Sequence, residues 1–338
     1  MSRNLTAAVL MLMLMAAVSM PGAAATLKIA TIAPDGTRWM QELRSAAETI
    51  TQRTAGRVQF RFYPGGVMGN EKIVLRKIRV GQLQGGALTA GGLAEIYPDS
   101  LVYGLPFLFR SYDEVDYVRQ RLDPDILQGL ETRGFVSFGL GEGGFAYLMS
   151  KRPIRGIDDL KDCKVWVPED DSISRAAFEA VGISPIPLPL TDVLTGLQTG
   201  LVDTIGASQT GAIALQWHTH VQYLMDMPLL YLDGALVVQR AAMQALAPGD
   251  QAIVRDELEA VFRQLNQLSR EDDTAAREAL RSNGITVVRP TLEETGPWRD
   301  AVAAAMDRLS TQGVYSAALL QRLRGYLADY RKLATSSR

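Results

Sequence analysis

The sequence predicts an α/β fold made of two lobes joined by a hinge. Three observations predict it. Strand-like and helix-like segments alternate from residue 27 to residue 205, the pattern of a sheet with largely parallel pairing. The segment that follows is helical, with Ile253, Leu258, Val261, Phe262, Leu265 and Leu268 recurring between charges. One strand, "ITVV" (285–288), interrupts those helices, so the end of the chain returns to a sheet begun much earlier. A chain that leaves a lobe and comes back to it crosses a hinge.

The first segment is not part of that fold. Arg3 is followed by "LTAAVLMLMLMAAVSM", then Pro21-Gly22 and three alanines. A charged start, a short apolar stretch and small residues make a secretory leader, with the cut expected between Ala25 and Thr26. The strand "LKIATI" (27–32) follows, and Asp35-Gly36 turns the chain. Trp39, Leu43, Ala46, Ala47 and Ile50 then share one helix face, and Gly56 closes it. In "VQFRF" (58–62) the apolar residues alternate, as in a strand, and Pro64-Gly65-Gly66 ends it. A helix is expected from Glu71 to Val80.

Ser111 and Glu114 form a capping box for the next helix, which Pro124 is expected to split in two before Gly134. "FVSFGL" (135–140) and "KVWV" (164–167) read as strands. A helix from Ser172 to Val181 is closed by Gly182. Thr191 is expected to cap another, whose Val193, Leu194, Leu197 and Leu201 share a face and which Gly200 ends.

Composition sets limits on function. The 338 residues suffice for two domains, and 47% hydrophobic with 21% charged residues is ordinary for a globular chain. A formal net charge of −2 argues against a nucleic-acid surface, and the lone Cys163 excludes an internal disulfide. "GLGEGG" (139–144) matches a dinucleotide fingerprint but runs on into "FAYLM", which continues the strand where a helix should start. Its glycines are better read as letting strands bend or approach. His218 and His220, two apart, fall on opposite sides of a helix and have no cysteine nearby to complete a metal site. No nucleophile and base stand at a motif spacing, so no enzyme is predicted.

The stretch "KVWVPEDD" (164–171) is the most unusual. It sets Trp166 at a strand end and Glu169, Asp170 and Asp171 just beyond. Asp171 is a good N-cap for the following helix. Trp166, flanked by valines, reads equally well as core or as site.

Four stretches in register carry a resemblance: "FYPGGVMGNE" (62–71), "GLPFLFRSYDE" (104–114), "KRPIRGIDDLKDCKVWVPE" (151–169) and "GISPIPLPLTDVLTGLQTGLVD" (182–203). Together they resemble the solute receptors of tripartite ATP-independent periplasmic (TRAP) transporters, DctP type, over nearly all of the chain after the leader. The resemblance implies a two-lobe periplasmic-binding-protein fold with a hinge, an interlobe ligand cleft and a long C-terminal helix spanning both lobes. It implies one lobe of residues 26–147 plus about 234–271, and a second of 148–233 plus about 272–338. The implied location is the periplasm. The implied partners are a small-molecule ligand and, transiently, membrane permease subunits. A monomer is expected, and no cofactor.

The resemblance also assigns ligand-facing positions, and here the chain departs from it. The arginine that clamps a ligand carboxylate in relatives falls on Trp166, and a second common arginine on Ala146. The usual asparagine falls on Ala207, with Ser208 and Gln209 beside it, and a frequent phenylalanine on Leu190. Asn70, in a loop that reaches the ligand in relatives, and Thr89, at a strand end, are further candidate wall residues. Glu142, Glu169 and Asp170 are expected near the mouth, where they would repel an anion. A carboxylate buried without a cation is costly. The expected ligand is therefore neutral, apolar or amphipathic, with Trp166 and Phe145 as stacking surfaces. A cation held by tryptophan and carboxylates is the next reading. Arg175, one helix turn on, would be the route to an organic-acid receptor. A carrier of a lipid-like molecule, working with a periplasmic partner in place of a permease, is the alternative role.

Overall fold

The structure, a computed structural model, describes residues 24–336. Most of the predicted leader lies outside the described residues. The expected cut falls one residue into strand β1 (Ala25–Thr31), where the Ala25 amide donates to the Arg57 carbonyl at 2.7 Å.

The first half of the fold is β1, helix α1 (Arg38–Arg53), β2 (Val58–Tyr63), α2 (Glu71–Arg79), β3 (Gly85–Thr89) and the short α3 (Ala90–Ala94). β1 pairs in parallel with β2 and β3. Met40, Leu43, Ala46 and Ile50, the expected apolar face of α1, are buried against Leu27, Ile29 and Val58. A 3-10 turn leads to α4 (Tyr112–Thr132). α4 is one helix, not the expected two. Pro124 removes one amide from its ladder, but Val115, Val118, Leu122, Ile126 and Leu130 are buried together, and that packing holds both halves in line.

β4 (Phe135–Ser137) stops short of the predicted strand because Gly139 turns at φ +138°. Then comes β5 (Gly141–Ser150), the continued strand expected from "FAYLM". The fingerprint glycines serve the sheet. Gly144 has φ +81°, and a Cβ on Gly143 would stand 2.9 Å from the Leu232 side chain.

The second half holds α5 (Ile157–Leu160), β6 (Trp166–Pro168), α6 (Ser172–Glu179), β7 (Ile186–Leu188), α7 (Val193–Thr199), β8 (Thr204–Ala207), α8 (Gln209–Ala214) and β9 (Tyr223–Met225). Thr191 does not cap α7. It sits in a 3-10 turn with its hydroxyl on Asp192, 3.1 Å away, and the helix starts only after that turn. Leu201 lies beyond the helix, 49% exposed, off the expected face. Gly200 ends α7 at φ +71°, as predicted.

β10 (Leu230–Gln239) returns to the first half, followed by α9 (Arg240–Gln244) and α10 (Pro248–Ser282), a 35-residue helix. At 1.5 Å per residue it is about 50 Å long, enough to span both halves. β11 (Thr286–Val288) pairs in parallel with β9, the predicted return to an earlier sheet, and α11 (Leu292–Thr311) and α12 (Ala317–Ser336) finish the chain.

The main sheet runs β11-β9-β5-β10-β3-β1-β2, with β4 on β10 and β8 on β5, while β6 and β7 form a separate pair. Every pairing of β5 or β10 is antiparallel. The expected, largely parallel sheet is therefore mixed. β5 carries the chain out of the first half and β10 carries it back, so side by side they must run in opposite directions.

Candidate functional site

One wall of the gap between the halves is the end of β6. Trp166 pairs with Ile186 of β7 and is 3% exposed. Its indole N–H donates to the Leu188 carbonyl at 3.0 Å, and its ring meets Trp217 edge-on at 5.2 Å. Both the polar tip and the ring face of Trp166 are thus engaged inside its own half. It is packed core at the position predicted to stack on ligand, and no open aromatic face remains there.

The acids beyond it divide. Asp171 caps α6, accepting from the amides of Ile173 (3.0 Å) and Ser174 (2.9 Å), as expected. Burial pushes its carboxyl up, against those bonds. Asp170 is ion-paired with Lys72 at the start of α2, and Glu169 stands 3.5 Å from the Asn70 amide nitrogen. Lys72 also approaches Glu95 at 3.8 Å. These acids therefore tie β6 to the opposite wall, with a cation and an amide taking up their charge. Arg175 is exposed and donates to the Glu169 carbonyl at 3.1 Å, stiffening the same turn.

On the opposite wall Asn70 caps α2 through the Ile73 amide (3.0 Å), and Thr89 caps α3. Glu71, which the sequence reading passed over, accepts from the Thr89 amide (2.6 Å) and hydroxyl (2.7 Å). Burial pushes its carboxyl up to about 7, with the Thr89 bonds opposing and Asp170 adding to the rise. The Pro64–Gly66 loop touches the far side as well: a Cβ on Gly66 would lie 2.9 Å from the Thr191 methyl. The two walls meet here.

The floor is β5, and three expectations fail or shift on it. Glu142 is not at the mouth. It is 7% exposed and bound by Arg119 (3.3 Å) and Arg270 (2.8 and 2.5 Å), partners 23 and 128 residues away that no local pattern announces. Phe145 is not a stacking surface, because Tyr112 (5.0 Å) and Tyr231 (5.7 Å) already pack on it. Ala146, 2% exposed, opposes Leu230. Ala207 is buried opposite Tyr147, Ser208 caps α8 through Gly211, and Leu190 is half-buried against the core.

Gln209 is 2% exposed and its side-chain oxygen has no partner. Neither do the Tyr112 hydroxyl and one oxygen of Asp273. The Tyr112 hydroxyl (3.3 Å) and that Asp273 oxygen (3.6 Å) both face the Cβ position of Gly144. Burial pushes Asp273 up, with the Thr210 and Gln209 amides pulling it back. The unmet groups along this seam are a carbonyl and a carboxyl oxygen, which accept, and the Tyr112 hydroxyl, which both donates and accepts.

Asp203 accepts from the Lys164 amide (2.8 Å) and the Thr204 hydroxyl (2.9 Å) and so fixes its turn. His218 is bonded to the Ala212 carbonyl (3.2 Å), and among the described residues no cluster of metal-binding side chains occurs. Cavities of about 640 and 510 Å³ open elsewhere, between α4 and α10 beside Arg119, Asp123 and Asn266, and none of Trp166, Ala146 or Ala207 lines either.

Comparison with known proteins gives a consistent answer. The profile of DctP, "Bacterial extracellular solute-binding protein, family 7", matches residues 29–312. The chain is 23% identical over 305 residues to the sialic acid-binding periplasmic protein SiaP of Vibrio cholerae, covering 88% of this chain and 92% of that one. It is 24% identical over 273 residues to the C4-dicarboxylate-binding periplasmic protein DctP of Rhodobacter capsulatus, covering 78% and 80%. Among solved structures, a TRAP periplasmic solute binding protein from Ralstonia eutropha with bound (S)-2-acetolactate superimposes with a TM-score of 0.83 at 23% identity, covering 90% of this chain and 99% of that one. The galactonate complex of DctPAm from Advenella mimigardefordensis gives 0.84 at 18%, covering 91% and 99%.

Proposed function

This chain belongs to the DctP family, bacterial extracellular solute-binding protein family 7, and on that premise we propose that its ligand is a small neutral, apolar or amphipathic molecule. It is a TRAP-type solute receptor, a binding protein and not an enzyme. The proposal extends to its setting: a periplasmic monomer that closes its lobes on ligand and passes it, in a transient complex, to membrane permease subunits.

The observation that carries the ligand class is the charge inventory of the gap. The positions where the resemblance puts arginines hold Trp166 and Ala146, and Arg175 lies outside, bound to a carbonyl. At those two positions an anion would meet no cation, and Arg270, 4.5 Å over the Tyr112 ring, is already ion-paired with Asp116 and Glu142. The cation reading weakens for the mirror reason, since Glu142 is consumed by two arginines and Asp170 by Lys72. What remains is apolar wall plus the Gln209 side-chain oxygen, an acceptor, and the Tyr112 hydroxyl, a donor and acceptor, which together suit a neutral molecule bearing hydroxyl or amide groups. The bound sugar acids and keto acids of the structural neighbours belong to those proteins.

A thermal-shift panel of neutral and carboxylate solutes, with mass spectrometry of material that co-purifies, tests the proposal. A true ligand at about 100 Kd stabilises by roughly 2.7 kcal/mol. The proposal predicts shifts with neutral solutes that Gln209→Leu weakens. Shifts with sialic acid or dicarboxylates, unchanged in that variant, would overturn it.

A further inference from the structure

Beside β5 lies a small space that two polar side chains face and that no described side chain fills. Gly144 sits opposite Leu232 at φ +81°, a conformation that side-chain-bearing residues rarely adopt. Beyond Gly144 and its chain neighbours, the atoms nearest to its missing Cβ are the Tyr112 hydroxyl oxygen at 3.3 Å and the Asp273 carboxyl carbon and oxygen, both at 3.6 Å. An oxygen atom fits at that point, and a small shift brings it within hydrogen-bond reach of both groups.

Both groups are held in place. The Tyr112 ring packs on Phe145 at 5.0 Å, and the Arg270 guanidinium lies 4.5 Å from its centroid. Asp273 is 8% exposed and takes hydrogen bonds from the Gln209 and Thr210 amides and the Thr210 hydroxyl, at the start of α8. One of its oxygens takes none, so those bonds fall on the other. The Tyr112 hydroxyl also lacks a partner among the described residues. Burial, then the charge of Asp273, pushes that hydroxyl up, so it keeps its proton. The two unmet groups are unlike: Tyr112 has a proton to give, and the Asp273 oxygen has lone pairs to fill. A single atom that serves both must accept and donate, as a hydroxyl oxygen does. An ammonium only donates and leaves the Tyr112 proton unmet. A carboxylate only accepts and faces Asp273 with like charge. The nearby cations are already employed, Arg270 with Asp116 and Glu142, Arg277 with Asp226.

We propose that Tyr112 and Asp273, over Gly144, form the subsite that reads one hydroxyl of the ligand, so that the receptor selects an alcohol or polyol among neutral molecules. This rests on the neutral ligand proposed above and adds a group that the ligand must carry. The subsite brings together α4, β5 and α10 and, through Asp273, the first turn of α8. A bound hydroxyl therefore ties elements of both halves to one atom.

The test is calorimetric titration of the purified protein with cyclohexanol, 1,2-octanediol and myo-inositol, each beside its O-methyl ether, and with cyclohexylamine as the ammonium probe. Saturable binding of an alcohol is expected, with its ether roughly tenfold weaker, because the ether keeps the bond from Tyr112 and loses the one to Asp273. Tyr112→Phe should weaken both. Asp273→Asn separates this role from a structural one. Its carbonyl oxygen must stay on the α8 amides, so its NH2 group faces the subsite and the alcohol loses its advantage over the ether. A structural role alone would weaken both probes alike. Unchanged melting temperatures without ligand show that the variants fold. The proposal is overturned if no alcohol binds, if the ether or the amine binds as tightly as the alcohol, or if the advantage survives Asp273→Asn. An ether that binds as tightly leaves the neutral ligand standing, whereas binding of carboxylate solutes alone removes both readings.

Discussion

Glu142 and Ala146 lie on the same strand, four residues apart, and their surroundings are opposites. At Glu142, β5 is gripped by Arg119 and Arg270, which in turn hold Asp123 and Asp116. At Ala146 the neighbours are Leu229, Leu230 and the Phe145–Tyr231 aromatic pair, with no charge. The lesson is that this chain does not lack arginines for anions. It commits them where the strands cross between the halves and leaves the expected clamp apolar. A buried ion network fixes geometry at high desolvation cost, while an apolar wall accepts ligand without one.

Four changes would sharpen or break that contrast. The largest effect is expected at the apolar wall: Trp166→Ala should cost about 4 kcal/mol in chemical denaturation, as large-to-small core changes do. A cost under 1 kcal/mol would mean the ring is not packed as described. Glu142→Ala should cost about 3 kcal/mol, because it leaves buried Arg119 short of a partner. A neutral result there would remove the network from one side of the comparison.

Third comes Asp233, which opposes Glu142 on β10. Burial pushes its carboxyl up to about 7, with Arg119 opposing and Asp123 assisting. The native state then holds a proton that the unfolded chain releases near pH 4, so this group's contribution to stability is full below that and is lost as pH rises towards 7. Asp233→Asn should flatten the decline in stability between pH 5 and 7, and an unchanged slope would refute the assignment. The smallest effect is expected at the mouth, where Lys72 and Asp170 are partly exposed. Lys72→Ala should cost under about 1 kcal/mol, and less still in high salt.

Much of the fold was legible in the sequence because its signals are local. The apolar face of α1, the Asp171 and Ser111 caps and the return of "ITVV" to a sheet all follow from residues a few positions apart. The errors sit where distant partners decide. Pro124 is carried inside a helix by packing on both sides of it. Antiparallel pairing follows from β10, whose neighbours β3 and β5 were made long before it. The candidate site was less legible. The resemblance named positions, but each side chain's employment depended on long-range contacts: Trp166 on Leu188, Glu142 on Arg270, Asp170 on Lys72. Glu71 was the residue most open to discovery, since it directly follows Asn70 in a stretch already singled out.

The crossing strands also set a timetable. A chain that emerges N-terminus first presents β1, β2 and β3 early, yet the far edge of β3 has no partner until β10, some 140 residues later, is available. β9 waits in the same way for β11. Neither half can complete its sheet from a contiguous stretch, so open strand edges persist through most of synthesis. The sheet therefore closes only once β10 and β11 have both been made.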